Sequence, residues 1–153
     1  MPEPSLSDAL HRLMHAYKRQ LRAGIQEHRI ALPITQIRVL KCIGRFPEST
    51  ARSIAQRMNQ DKAQITRVLN ELKESTLIEA TENPDDRRSQ FLTATKSGRR
   101  MLAKIDQLEE QAAAKMTRDL SAKQIQTFIR IAALMTQNSR DDPPSDKGSK
   151  SNG

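Results

Sequence analysis

Three groups of side chains in this sequence have the types and spacing to do chemistry. The first is Lys62, Ala63, Gln64, Thr66, Arg67 and Asn70. Behind Asp61, the residues Ile65, Val68, Leu69 and Leu72 fall on one side of a helix. Opposite them lie Ala63, Arg67, Asn70 and Glu74, flanked by Lys62, Gln64 and Thr66. Arginine can fork onto guanine, Asn or Gln can pair with adenine, and a small methyl can touch thymine. The second group is Arg87 and Arg88, on a charged turn over 83–89 with Asp86 as a structural neighbour. A narrow minor groove attracts such guanidinium groups. The third is Ser49, Thr50 and Arg52, at the start of a short helix whose free N–H groups and basic side chain can hold phosphate. Taken singly, an exposed Arg or Asn is ordinarily a solvated face. Asp86 with Arg88 can be a local ion pair worth about 0–1 kcal/mol. The order of the parts carries the signal.

Other chemistries find little support. His11 and His15 stand four apart on one helical face, and His28 lies further along, but no further zinc ligands are evident. No Ser-His-Asp order, Gly-rich phosphate loop or metal triad is present, so neither enzyme activity nor a cofactor is expected. Cys42 is the single cysteine, which excludes an intrachain disulfide and a Cys-based zinc site. It reads as a small buried hydrophobe, although Lys41 and Arg45 nearby would favour its thiolate.

These residues need elements to position them. Apolar residues at spacings of three and four predict a helix over 6–28. A second helix opens near Thr35 and ends before Pro47, and Ser49-Thr50 caps a third. Asp61 caps the fourth, over 61–74. Two β-capable runs, 77–82 and 90–95, flank the 83–89 turn and predict a hairpin. Thr95 or Ser97 then opens a long helix, and Ser121 caps the last. A short helix, a turn, a second helix and a charged hairpin make a helix-turn-helix with a wing. The fold class is therefore mainly α.

Composition agrees. The 153 residues carry 26 Lys+Arg against 18 Asp+Glu, a formal +8, which favours a polyanionic partner. Residues 1–49 contribute +4, 50–100 contribute +3 and the remainder +1. Only 3% of residues are aromatic, too few to build stacking platforms for single strands. No long apolar run predicts a membrane span, residues 1–7 lack the makings of a signal peptide, and a cytoplasmic, reducing location fits best. The tail over 139–153 has no apolar side chain to bury and is expected to be disordered.

The run 61–72, Asp-Lys-Ala-Gln-Ile-Thr-Arg-Val-Leu-Asn-Glu-Leu, resembles the recognition helix of the MarR family. Leu77-Ile78-Glu79 is similar to that family's exit into its wing. Pro84-Asp85-Asp86-Arg87-Arg88 and 92–98 are similar to the wing and the start of the following helix, with Asp86-x-Arg88 the most specific piece. The resemblance spans about 6–138, with the strong motifs within 50–100. It implies one domain over 1–138: a winged helix-turn-helix at 33–98, and helices over 6–32 and 99–138 that form a dimerisation region. It implies a homodimeric transcriptional regulator, a repressor, reading a pseudo-palindrome in double-stranded DNA. Arg88 would enter the minor groove and Asp86 would anchor the wing. It also implies an unidentified small-molecule effector and no membrane partner. The alternative class is a winged-helix module that binds protein or RNA. The residues themselves name neither operator, target genes nor effector, and do not fix the sign of regulation.

Overall fold

The computed structural model describes residues 2–140, and the chain divides into two compact units, Met1–Ala114 and Lys115–Gly153. Eight elements follow in order: α1 (Leu6–Glu27), α2 (Ile34–Arg45), α3 (Ala51–Met58), α4 (Lys62–Glu74), β1 (Ile78–Glu82), β2 (Gln90–Ala94), α5 (Lys96–Met116) and α6 (Ala122–Arg140). This is the expected sequence of four helices, a hairpin and two helices.

The helix starts follow from local chemistry. Ser5 and Asp8 form a reciprocal capping box that satisfies two N–H groups at the start of α1. Thr50 and Ser53 do the same for α3. Asp61 is the N-cap of α4, as expected, but its carboxylate makes no capping hydrogen bond; only its backbone carbonyl accepts, from Ile65. Of the two candidates for the start of α5, Thr95 takes the role, its hydroxyl accepting from Gly98 N–H at 3.1 Å. A Cβ on Gly98 would collide with the Leu77 carbonyl oxygen, so only glycine lets α5 start this close to the hairpin.

The core of the first unit gathers apolar side chains from several elements. Leu40, Ile54, Ile65, Leu72, Ile105 and Val39 are fully buried. Ile65, Val68, Leu69 and Leu72 are all the buried residues of α4, as the periodicity predicted. Burying each such side chain is worth about 1.5–3 kcal/mol. The α3–α4 turn is closed by Asn59 at φ 51°, a left-handed conformation that asparagine tolerates well. Thr76 at φ 60° closes α4 before β1, and for a β-branched residue that backbone is strained.

β1 and β2 pair antiparallel, Ile78 against Ala94 through Glu82 against Gln90. An isolated bridge joins Ser49 to Leu92, with Leu92 N–H donating to the Ser49 carbonyl at 2.8 Å. The hairpin base is thereby tied to the loop between α2 and α3.

In α1, Leu6, Leu10, Leu13, Met14 and Tyr17 remain exposed. In the second unit, α6 exposes Phe128 (53%), Ile129 (60%), Ile131 and Leu134. α6 continues through Arg140, with the Ser139 hydroxyl donating to the Thr136 carbonyl, so the expected tail from 139 is corrected by two residues. The rest of that tail, 141–153, lies outside the described residues.

Candidate nucleic-acid interface

A groove of about 500 Å³ runs between α3, α4 and the hairpin tip. α3 brings Thr50 and Arg52 to it, and α4 brings Lys62, Thr66 and Asn70. The tip brings Asp86, Arg87 and Arg88. These eight residues, 50 to 88 in sequence, are all among those the sequence singled out.

The recognition-helix candidates divide by angle. Lys62, Thr66 and Asn70 face the groove, whereas Ala63, Gln64 and Arg67 lie exposed outside its lining. Thr66 donates its hydroxyl to the Lys62 carbonyl at 2.8 Å. Its hydroxyl proton is thus spent inside the helix, leaving its methyl and an acceptor lone pair for a partner. Lys73, absent from the sequence candidates, also lines the groove. The signal was its spacing, three residues beyond Asn70 along the same edge.

Glu71 is an acid on the same helix, where phosphate would be repelled. It is half-buried, and Gln36 Nε2 of α2 donates to its carboxylate at 2.7 Å. That bond draws its charge back toward α2. Glu74, on the outward side, remains exposed.

The tip is folded by its own acids and amide. Asp85 N–H donates to Asn83 Oδ1 at 3.0 Å, and Arg88 N–H donates to Asp86 Oδ1 at 3.0 Å. Asp86 therefore holds the backbone of Arg88, not its guanidinium, and both Arg87 and Arg88 stay exposed. Such Asx turns fix a loop without consuming the cations it presents.

Ser49 departs from expectation. It is only 2% exposed, and its hydroxyl donates to the Phe46 carbonyl at 2.6 Å. Its backbone serves the sheet. Ser49 is corrected from a phosphate-facing residue to a structural one, because the bridge to Leu92 turns it inward. Thr50, beside it, spends its side chain on the α3 cap, and exposed Arg52 follows.

Elsewhere the sequence candidates are less organised. Cys42 is half-buried, and burial raises its thiol pKa, with Arg57 opposing in part. His28 Nε2 lies 3.4 Å from Gln111 Oε1, and among the described residues no cluster of three His, Cys, Asp or Glu could hold a metal. No helix among the described residues is long and apolar enough to cross a membrane.

A helix-turn-helix followed by a hairpin with two arginines at its tip, tied at its base by a third short strand segment, defines a winged-helix protein. Residues 32–89 match the family model described as MarR family. The chain is 27% identical over 129 residues to the HTH-type transcriptional regulator YwhA of Bacillus subtilis (strain 168), covering 82% of this chain and 93% of the relative. The crystal structure of MarR is similar at TM-score 0.66 and 26% identity, covering 85% of this chain and 96% of that one. The transcriptional repressor CouR, solved bound to a 23-mer DNA duplex, shares the fold at TM-score 0.76 and 22% identity, covering 86% of this chain and 92% of that one. Over residues 32–89 the chain is thus similar to the MarR family, and over most of its length it shares the fold of that family's solved members.

Proposed function

We propose that the protein is a sequence-specific regulator of transcription that binds double-stranded DNA as a homodimer and acts as a repressor. The observation that carries this reading is the groove that gathers Thr50, Arg52, Lys62, Asn70, Arg87 and Arg88 from three elements. The outward helix face, with Ala63, Gln64, Thr66, Arg67 and Asn70, meets base edges in the major groove. Arg52 and the N-terminal end of α3 meet phosphate. Arg88 enters the flanking minor groove from a tip that Asp86 keeps folded, with Arg87 beside it.

The dimer is supported by the exposed apolar residues of α1 and of α6, each a stripe that a lone chain leaves in water. A twofold arrangement doubles the phosphate contacts and matches a pseudo-palindromic site. The place of action is the cytoplasm, and the reading assigns the chain no reaction. A small-molecule effector would act through differential affinity for DNA-competent and incompetent states. A cavity of about 440 Å³ in the first unit, with Tyr17, Leu21, Ile105 and Leu108 on its walls, has the size for one.

The test is a footprint of the protein on DNA from its own promoter region, followed by titration of variants. Arg67→Ala should relax base preference and cost about 1–3 kcal/mol, whereas Arg88→Ala should weaken binding across sequences and flatten the salt slope. Unchanged binding by the double variant removes the assignment. Affinity for RNA above duplex DNA would favour the alternative class.

A further inference from the structure

A second cleft in the first unit, of about 570 Å³, lies along the C-terminal half of α2. Its volume is that of a site for a small organic molecule. Cys42, Met58 and Leu102, from three different helices, supply apolar surface. The cations come from one face of α2, where Arg38, Lys41 and Arg45 recur at helical spacing.

The cations differ in how they are satisfied. Lys41 is bound to Glu109, with Nζ 2.5 Å from Oε2. Arg45 and Arg57 have no carboxylate partner among the described residues, and both converge on the Phe46 ring. The Arg57 guanidinium lies 3.7 Å from the ring centroid and that of Arg45 5.8 Å. Cation–π attraction holds each there, but two like charges at one ring repel. An oxyanion set against them would remove that repulsion, and guanidinium forks match phosphate and carboxylate geometry. Asp106 is the acid in the lining, against Arg38 and Arg45, while Arg57 adds its charge from over the Phe46 ring, which is itself part of the lining.

We infer that this cleft binds an organic oxyanion, its phosphate or carboxylate held by Arg45 and Arg57 with help from Arg38, its apolar body lying over Cys42, Met58 and Leu102. The site is separate from the DNA groove and does not rest on the proposed regulatory function.

Cys42, the single cysteine, is a built-in reporter of occupancy. The full chain, without DNA, is titrated calorimetrically with hexyl phosphate, hexanoate, inorganic phosphate and hexanol, and Cys42 alkylation by neutral iodoacetamide is followed alongside. Hexyl phosphate or hexanoate should bind and slow alkylation about tenfold at about ten times its Kd. Hexanol should do neither. R45Q/R57Q should lose both effects while keeping the helical circular dichroism and melting of the parent chain. Where alkylation is too slow to follow, calorimetry on the same pair of proteins decides.

Protection by hexanol equal to that by hexyl phosphate would overturn the proposal, as would binding retained in R45Q/R57Q or no binding by either anion. Inorganic phosphate matching hexyl phosphate would overturn the apolar half. Equal protection by a random DNA duplex would make the cleft part of a phosphate-backbone surface instead.

Discussion

Glu71 shows how one hydrogen bond edits the charge of a binding face. Gln36 holds its carboxylate at 2.7 Å, so the recognition helix presents Lys62, Arg67 and Lys73 with one acid drawn back. Gln36→Ala should free that carboxylate and lower affinity for any DNA duplex. Glu71→Gln in the same background should restore it. A titration of both variants checks this, and equal weakening by both would show that the pair matters only for packing. Cys42 gives a second test at this scale. Burial lifts its pKa above that of an ordinary thiol, and Arg57 only partly opposes. Its thiolate therefore forms at higher pH than that of a small reference thiol. The pH profile of its alkylation should be displaced upward, with the displacement increased in Arg57→Gln. The types and outward placement of Arg67 and Asn70 were legible in the sequence because helical spacing alone decides them. The Gln36–Glu71 bond was not, since its partners are 35 residues apart in sequence and only the packing of α2 on α4 brings them together.

Among the elements, the end of α4 carries strain. Thr76 sits at φ 60°, where its branched side chain is crowded. Its carbonyl accepts from the Thr95 hydroxyl at 2.6 Å, which holds it in place. Thr76→Gly should relieve about 1–2 kcal/mol of left-handed strain and raise the melting temperature by a few degrees. Thermal denaturation followed by circular dichroism reads this directly; a lowered Tm would mean that chain entropy outweighs the strain. All six helices and the hairpin were readable from periodicity and turn residues. The third strand segment at Ser49 escaped, because a one-residue bridge leaves no alternation to read. Capping chemistry alone therefore points Ser49 at phosphate, although only its neighbours Thr50 and Arg52 line the groove.

For the whole molecule, the formal +8 gains meaning from where its members stand. Seven acids within 50–100 offset much of the local charge, so position outweighs sum. DNA affinity should fall linearly on a log–log plot against salt, with a slope set by the phosphates neutralised. The dimer is tested on α6. Phe128→Asp, at a side chain 53% exposed in the single chain, should leave the monomer folded and shift sedimentation from dimer to monomer. Weakened operator binding should accompany that shift. A dimer unaffected by Phe128→Asp would place the interface elsewhere. The amphipathic pattern of α1 and α6 was plain in the sequence, but which of their apolar residues the single chain leaves uncovered was not, because periodicity marks a face without naming what covers it.

The bridge from Leu92 to Ser49 has a kinetic consequence. It pins the hairpin at its base, where Ile78 and Leu92 are buried, while the residues of its tip are mostly exposed. In deuterated solvent the amides at Leu92 and along the β1–β2 ladder should exchange with the protected interior of α4, as one cooperative unit. The tip amides held by Asn83 and Asp86 should exchange far earlier. The wing would then be a stiff stalk with a pliant end, free to adjust Arg87 and Arg88 while the register of its base stays fixed.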